Sequence, residues 1–387
     1  MDSLIETGFS AIGWDDVLMI AIGILLVFLG ITRKWEPLLL VPIGFSIVLV
    51  NLPLGGLMDS TGGDLLDKDS EAVGLIAYIF KGGIQTEIIP PLIFLGLGAM
   101  TDFESLIANP KTLLLGAAGQ FGVYATLLIA VLLGSGWLGI TDWGIKEACS
   151  IGIVGGADGP TTVYLSDQLA PHLMGTVAVA AYIYMAMVPI IQPPIIRLCT
   201  TKKERQIYMK PMAREVSHKE KIFFPFIGAI VIILLVPKSA PLIGCFMFGN
   251  LLHVSGVTDR LAKTASGALM DILTVFLGLS IGGIMTADNF LNLDSILAFV
   301  LGIFGFASAT AFGVLVAKLM NRFSREPINP MIGAAGVSAV PMSARVVQIM
   351  GQKENPHNFL LMHAMGPNVA GVIGTATAAG IFLSMVG

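Results

Sequence analysis

Apolar runs long enough to cross a lipid bilayer recur along almost the whole chain. A transmembrane helix needs about 20 residues, with allowance for tilt and breaks. Only 12% of the 387 residues are charged, about half of the roughly 25% typical of a soluble domain. We therefore predict an all-α polytopic membrane protein of transporter-like architecture with about ten spanning helices, and we exclude an ordinary cytosolic enzyme. The predicted spans lie near 17–31, 37–54, 72–100, 112–134, 173–196, 223–236, 240–252, 267–285, 295–319 and 358–386.

The remaining composition narrows the function class. A net charge of -4 offers no electrostatic basis for binding nucleic acid. The cysteines Cys149, Cys199 and Cys245 lie far apart in apolar surroundings, as small core residues do. The N-terminal stretch is acidic where a signal peptide is basic, so the first apolar run is expected to stay in the protein as a span.

Each half of the chain contains one apolar segment that glycine and proline interrupt too often for a simple helix, at 145–165 and at 328–350. Corresponding interruptions in two halves are the best sequence indication of an ion or substrate site at the membrane midplane. The two segments share residues at one constant offset, 332 minus 151, or 181: Ile151, Gly152, Gly155 and Pro160 correspond to Ile332, Gly333, Gly336 and Pro341.

Charge in the loops predicts the orientation of the two halves. The stretch 197–221 contains eight Lys or Arg and three Glu, which places it in the cytoplasm by the positive-inside rule; we otherwise expect it to be solvated. Counting from it puts the basic loops near 33–34, 253–266 and 320–326 inside, and the acidic loops 59–71 and 286–294 outside. The prediction is two inverted repeats, 1–200 and 222–387, joined by the basic loop 201–221, with the broken segments entering as re-entrant hairpins from opposite faces.

Asp158 is the leading candidate for the chemistry of the first broken segment. Breaking a helix inside the membrane frees backbone carbonyls, which suit a hard cation such as Na+. In the sequence GGADGP, Asp158 lies between two glycines, and a carboxylate at that depth costs several kcal/mol unless it is paired, protonated or ion-bound. We expect it to bind Na+ and H+ in turn; the alternative is an N-cap of the half-helix that starts at Pro160.

The second broken segment offers neutral oxygen ligands. Asn329 precedes Pro330, and Gly333 and Ser338 flank the interruption. Amide and hydroxyl oxygens share a cation without adding charge, although capping and small-residue packing explain the same residues. Asn368 lies within the last apolar run, where a buried amide needs an ion or a broken helix as its partner.

The sequence leaves two alternative roles open for the tyrosines of one span and for one arginine. Tyr182 and Tyr184 belong to a proline-rich span, and a phenol near Asp158 could relay a proton, while tyrosine is also common at the membrane interface. Arg345 follows the second interruption, where a guanidinium either reaches the interface or binds a carboxylate. Glu87 marks a weaker further break.

Motifs of soluble-type catalysis are missing from the sequence. GGADGPTT lacks the lysine and the spacing of a phosphate-binding loop, and no HExxH, CxxC or GxSxG occurs. Energy for transport is therefore expected from an ion gradient or from the chemistry of a partner, and not from ATP hydrolysis by this chain.

Three long motifs resemble one known family. They are SIGIVGGADGPTTVYLSDQLAPHLMGTVAVAAYIYMAMVPIIQPPI, GLGAMTDFESLIANPKTLLLGAAGQFG and INPMIGAAGVSAVPMSARVVQ. In these motifs the chain resembles the β subunit of the sodium-ion-translocating, biotin-dependent decarboxylases that act on oxaloacetate, methylmalonyl-CoA, glutaconyl-CoA or malonate. The resemblance implies a multi-pass protein of the bacterial cytoplasmic membrane. It also implies an enzyme subunit that decarboxylates carboxybiotin and couples this reaction to Na+ export with consumption of a proton.

The resemblance also implies partners and residue roles. The partners would be a carboxyltransferase α subunit, a biotin carrier protein or domain, a small membrane γ or δ subunit and further copies of the β subunit. Carboxybiotin would come from the carrier and would not be attached to this chain. The family's catalytic positions correspond to Asp158, Tyr184 as proton relay and Arg345 as carboxybiotin anchor, and its Na+ ligands to Asp158, Asn329, Gly333, Ser338 and Asn368.

A rival interpretation uses the same features. A secondary transporter that couples Na+ to a carboxylate solute would have the same broken helices and ligands, so the residues by themselves leave both functions open. A passive Na+ channel is disfavoured, because a charged carboxylate at the midplane indicates tight binding.

Overall fold

The computed structural model describes residues 7–59, 73–134, 138–210, 214–324 and 326–387. Every regular element within these ranges is helical, which confirms the all-α prediction. The main helices, in chain order, are α1 (Trp14–Arg33), α2 (Pro37–Val50), α3 (Leu75–Phe80), α4 (Ile89–Met100), α5 (Leu113–Gly119), α6 (Phe121–Leu133), α7 (Ile145–Ile153), α8 (Gly159–Leu169), α9 (Met174–Cys199), α10 (His218–Leu235), α11 (Ala240–Val254), α12 (Met270–Gly283), α13 (Leu293–Phe323), α14 (Met342–Glu354) and α15 (Leu361–Val386).

The helices are apolar enough to make this a polytopic membrane protein. In the described residues, six helical stretches have the length and hydropathy to cross a membrane, or up to seven if the bent pair 75–85 and 89–100 forms one span. In the described residues each predicted apolar run contains helix, and the run 72–100 contains the two helices of the bent pair, while the total of about ten spans stays a prediction. The bent pair turns through 68° beside Glu87, whose φ of 59° is left-handed.

Close helix crossings rest on glycine. A Cβ atom on Gly98 of α4 would lie 1.9 Å from the carbonyl oxygen of Phe246, and one on Gly249 of α11 would lie 1.9 Å from that of Leu95. Small residues allow membrane helices to approach until their backbones touch. Aromatic rings fill the space beside this crossing, since Phe94 and Phe246 meet edge to face at 5.9 Å between centroids. The glycines of the apolar runs thus set the spacing of the helices around the broken segments.

The first broken segment is a hairpin, here called the first hairpin (residues 145–169). Its first arm is α7 followed by one 3-10 turn, Val154–Gly156, and its second arm is α8. Between them the chain reverses at Ala157, which has a left-handed φ of 52°. The two ends lie together, because Glu147 in α7 and His172 just beyond α8 approach to 4.0 Å.

The second broken segment is also a hairpin, here called the second hairpin (residues 330–354). A 3-10 helix, Pro330–Gly336, forms one arm and α14 forms the other, with non-helical backbone at 337–341 between them. Both ends meet the same residue: Nδ2 of Asn329 donates to the carbonyl oxygen of Arg205 at 2.8 Å, and Nε of Arg205 donates to Glu354 at 2.8 Å. The inverted relation of the two halves stays a prediction.

The start of the basic loop is packed against the second hairpin, contrary to the expectation that the loop is only solvated. Nδ2 of Asn358 donates to the carbonyl oxygen of Ile207 at 2.8 Å, and its Oδ1 accepts from the backbone amide of Met209 at 3.2 Å. Lys318 of α13 pairs with Glu204 at 3.0 Å. Some charged residues of the loop therefore form ion pairs with the rest of the chain. The number of charges in the sequence does not reveal these pairs.

Some sequence predictions fall outside the described residues. These are most of the acidic loop 59–71, from residue 60 onward, the start of the N-terminal stretch at 1–6, Arg325 in the loop 320–326 and residues 211–213 of the basic loop.

Candidate functional site

The tips of the two hairpins meet each other. The backbone amide of Ser338 donates to the carbonyl oxygen of Gly156 at 3.1 Å, and the Ser338 hydroxyl donates to the same oxygen at 2.6 Å. Ser338 Oγ also lies 2.8 Å from Oγ1 of Thr375 in α15. Ser338 therefore joins the first hairpin, the second hairpin and α15 at one point.

Asn368 of α15 holds the backbone of the second tip. Its Nδ2 faces three carbonyl oxygens, those of Ala335, Val337 and Ala339, at 3.1, 2.7 and 3.4 Å. Val337 and Ala339 belong to backbone that leaves helical geometry and loses regular partners there, although the Ala339 oxygen also accepts from the backbone amide of Ser343 at 3.0 Å. Oδ1 of Asn368 is buried and has no hydrogen-bond partner among the described residues. One amide thus replaces the missing backbone pairing and still leaves an oxygen free.

Asp158 forms the N-cap of α8 and keeps one oxygen free. Its Oδ1 accepts from the backbone amide of Thr161 at 3.2 Å, as the capping alternative predicts. Its Oδ2 is buried and unpartnered in the part of the chain that the structure describes, and the side chain is 4% exposed. The cap therefore uses only half of the carboxylate, and the other half is available to a ligand.

A cavity of about 80 Å³ adjoins the meeting point of the tips. Roughly 10 to 15 Å³ of such space holds one water molecule, so an ion with a few waters fits. Asp158, Ser338 and Tyr182 line the cavity, and its remaining walls are mainly apolar. Those walls come from both halves of the chain: Leu39, Ile93, Leu97, Thr101, Pro160, Met185, Phe246, Met270, Thr274, Leu277, Val340 and Val372.

The oxygens at this point are those that a hard cation prefers. The free carboxylate oxygen of Asp158 and the Ser338 hydroxyl belong to residues that line the cavity, and the free amide oxygen of Asn368 belongs to the residue that holds the second tip; hard cations bind such oxygens. Within the described residues, no group of three or more His, Cys, Asp and Glu is placed to hold a metal ion. Oxygen donors of this kind are typical ligands of hard cations, whereas thiolates and imidazoles are preferred by most transition metals.

Two of the predicted ligands lie away from the tip. Asn329 is at the base of the second hairpin, where its Oδ1 accepts from the backbone amide of Met331 at 3.1 Å and its amide binds the basic loop. Gly333 lies along the 3-10 arm, where a Cβ would come within 2.1 Å of the carbonyl oxygen of Gly313 in α13. The structure therefore brings Asp158 and Ser338 to one cavity, places Asn368 on the backbone next to Ser338 and leaves Asn329 and Gly333 along the arm.

Arg345 lies one turn into α14 and is exposed. Its backbone amide donates to the carbonyl oxygen of Pro341 at the tip, so the side chain starts close to the cavity. Burial raises the pKa of Glu36, at the start of α2, and the Arg345 guanidinium opposes that rise. Arg345 is thus an exposed cation within electrostatic reach of Glu36 in the α1–α2 turn.

Tyr184 lies on the face of α9 opposite the cavity. Its hydroxyl donates to the carbonyl oxygen of Phe299 in α13, and the two rings meet edge to face at 5.2 Å. Tyr182, two residues earlier, lines the cavity instead. Side chains two positions apart on a helix point about 200° apart around its axis. Tyr182 therefore faces the cavity of Asp158, and Tyr184 faces α13.

Sequence reasoning also missed the polar residues of the helices behind the tips. Thr375 of α15 donates to Oε1 of Gln120 at 3.2 Å, and Nε2 of Gln120 donates to the carbonyl oxygen of Gly371 at 3.1 Å. Both side chains are buried. The available signal was the presence of polar residues inside apolar spans, which commonly marks transport pathways.

Comparison with known proteins gives a consistent family over the whole chain. The family model described as the Na+-transporting oxaloacetate decarboxylase beta subunit matches residues 15–386. The methylmalonyl-CoA decarboxylase subunit beta of Propionigenium modestum is 50% identical over 399 residues, covering 100% of this chain and 99% of the relative. The glutaconyl-CoA decarboxylase subunit beta of Acidaminococcus fermentans is 51% identical, covering 99% and 96%. The oxaloacetate decarboxylase beta chain of Klebsiella pneumoniae is 47% identical, covering 100% and 99%.

Proposed function

The chain belongs to the family of beta subunits of Na+-transporting decarboxylases, and from this premise we propose that it decarboxylates carboxybiotin and uses the reaction to export Na+ while consuming a proton. The observation that carries the proposal is the free carboxylate oxygen of Asp158, buried beside the point where the two broken segments meet. A carboxylate in such a place is expensive unless something binds it.

Na+ is the first of the two occupants that we propose for this oxygen. Asp158 provides the negative charge, Ser338 offers a neutral oxygen from the lining of the same cavity, and Asn368 offers its free amide oxygen from the second tip. In this proposal Asn329 and Gly333 act along the arm of the second hairpin, where they hold its backbone against the loop and α13. The cation compensates the buried charge, which explains how the site tolerates an ionised carboxylate.

A proton is the second occupant. Decarboxylation breaks the bond between the carboxyl carbon and the ring nitrogen of biotin, CO2 leaves, and the nitrogen takes up one proton. Asp158 takes up this proton first, which neutralises its carboxylate, and burial favours the neutral form. The neutral site no longer holds Na+, so the ion leaves toward the outside. When Asp158 passes the proton on to the biotin nitrogen, it is ionised again for the next Na+. We propose that Tyr184, whose hydroxyl contacts α13, also contributes to the path of the proton.

Arg345 is the proposed anchor for carboxybiotin. Guanidinium groups bind carboxylates with paired hydrogen bonds, and Arg345 is exposed one turn from the tip. An anchor at this position places the carboxyl group near the cavity of Asp158 without burying a second permanent charge there.

The family implies a multi-subunit assembly, whose composition we propose as follows. Carboxybiotin reaches this chain on a biotin carrier loaded by a carboxyltransferase α subunit, and a small membrane γ or δ subunit and further β copies complete the complex in the bacterial cytoplasmic membrane. The two halves 1–200 and 222–387 act as inverted repeats, supported by two hairpins that have separate bases and meet at their tips. The basic loop 201–221 joins the halves.

The direct experiment is decarboxylation of free carboxybiotin by the purified membrane complex with and without Na+. We expect turnover to require Na+, because the charge of Asp158 must be compensated before the cycle begins. Turnover that proceeds equally well without Na+ would contradict the coupling. Na+ flux driven by a carboxylate solute, without carboxybiotin, would instead support the secondary transporter.

Replacing Arg345 by lysine tests the anchor. Lysine keeps the charge but loses the paired donors, so we expect the KM for carboxybiotin to rise about tenfold, equivalent to about 1.4 kcal/mol, while the Na+ concentration for half-maximal rate stays unchanged. The matched control is Lys353→Gln, which removes an exposed charge from the same helix. A shift in Na+ dependence with an unchanged KM would show that Arg345 serves the ion site and not the carboxylate.

A further inference from the structure

Two tyrosines of α9 have separate environments. Tyr184 donates its hydroxyl to Phe299 of α13, while Tyr182 faces the cavity that Asp158 and Ser338 line. The helical rotation of about 200° between positions two apart keeps these environments distinct. Tyr182 is therefore the tyrosine that shares a cavity with the buried carboxylate.

The ring of Tyr182 lies directly against the residue that follows Asp158. A Cβ atom on Gly159 would be 2.0 Å from Cε1 and 2.2 Å from Cζ of Tyr182, and Cζ carries the hydroxyl. Only glycine leaves room for the ring at this position, because any side chain would displace it. The phenol end thus covers the backbone at the start of α8, next to the Asp158 carboxylate.

The Tyr182 hydroxyl is buried without a hydrogen bond. Its side chain is 1% exposed, and the hydroxyl has no partner within the described ranges, like Oδ2 of Asp158. Buried polar atoms are almost always satisfied, and each exception indicates a missing water, an ion or a functional role. Two such oxygens from residues that line one cavity indicate that the same bound species satisfies both.

We propose that Tyr182 is a ligand of the Asp158 ion site: its neutral phenol oxygen coordinates Na+ together with the carboxylate, and it hydrogen-bonds the protonated carboxyl group after Na+ has left. This inference rests on the proposed function and adds a residue to it. A phenol suits both states because a lone pair of its oxygen coordinates Na+ in the first state and accepts a hydrogen bond from the protonated carboxyl group in the second.

A neutral ligand also keeps the net charge of the cavity unchanged when a proton replaces Na+. A second carboxylate beside Asp158 would hold Na+ more tightly but would oppose its release, whereas a neutral oxygen adds coordination without charge. Exchange of Na+ for one proton then leaves the cavity with the same net charge before and after. Tyr182 is in contact with the ion in one state and with the carboxyl group in the other.

The test is Tyr182→Phe in the intact complex, which keeps the ring against Gly159 and removes only the oxygen. We expect the Na+ concentration for half-maximal decarboxylation to rise about tenfold, with the KM for carboxybiotin unchanged and the rate at saturating Na+ largely retained. Tyr124→Phe is the matched control, since Tyr124 is 38% exposed and packs its ring edge to face on Phe382. Its Na+ dependence should equal that of the unmodified complex.

Two results would overturn the inference. One is an unchanged Na+ dependence in Tyr182→Phe, and the other is a uniform loss of rate at every Na+ concentration, which indicates a packing role. These failures differ from failure of the proposed function. If Asp158→Asn retains Na+-stimulated decarboxylation, the site itself is misassigned; if that variant is inactive while Tyr182→Phe binds Na+ normally, only the role of Tyr182 is wrong.

Discussion

The variant Asp158→Asn is expected to lose both decarboxylation and Na+ transport, by about a hundredfold or more, because the lost interactions at a buried charge amount to several kcal/mol. Asparagine caps helices as well as aspartate does, so the bond to the Thr161 amide survives and the first hairpin keeps its shape. What disappears is the charge that holds Na+ and the group that takes up the proton. CO2 release and Na+ uptake into vesicles containing the complex measure both losses.

The matched control for this prediction is Asp167→Asn. Asp167 belongs to the same helix, α8, but is only partly buried, and it lies outside the cavity lined by Asp158. Activity of the control should stay near that of the unmodified complex. Full Na+-stimulated decarboxylation by Asp158→Asn would refute the mechanism, because no other carboxylate lines the cavity in the described structure.

Replacing Asn368 by leucine is expected to reduce both stability and activity. The carbonyl oxygens of Ala335, Val337 and Ala339 would lose their shared donor, and a buried group left unpaired costs about 1 to 3 kcal/mol; Ala339 alone keeps the Ser343 amide as a described second partner. We expect a lower melting temperature of the purified complex. We also expect at least a tenfold loss of Na+-stimulated decarboxylation, equivalent to about 1.4 kcal/mol, because the second tip no longer keeps its backbone in place.

Thr377→Val separates this effect from a general weakening of α15. Thr377 donates its hydroxyl only within its own helix in the described structure, to the carbonyl oxygen of Ile373 at 2.7 Å. Its replacement should leave the melting temperature and the Na+ dependence nearly unchanged. A normal melting temperature and activity in Asn368→Leu would show that the second tip does not depend on this amide.

The helices and the broken segments were readable from the sequence for a physical reason. A helix in lipid must be apolar along its whole length, so the runs mark the helices directly. Glycine and proline clusters mark the hairpins equally well, because they free backbone groups that must be buried in protein. Asp158 and Ser338 follow from the same argument, since each lies at the point where its segment stops being helical.

The spatial arrangement within the site could not be predicted in the same way. Asn329 and Ser338 are nine positions apart, and a 3-10 helix rises about 2.0 Å per residue, so an arm of this kind separates the base from the tip by well over one helical turn. Nothing in the sequence predicts that this arm is a 3-10 helix. The choice between Tyr182 and Tyr184 likewise depends on how α9 is rotated against the first hairpin and α13, which neighbouring helices decide.

The loop that joins the two halves is held by several hydrogen bonds near its start. Asn329, Asn358 and Glu354 fasten residues 205–209 to the base of the second hairpin, whereas the tips are joined by two hydrogen bonds onto one carbonyl oxygen. Among the described residues several side chains therefore fasten the base of the second hairpin, whereas both hydrogen bonds between the two tips come from Ser338.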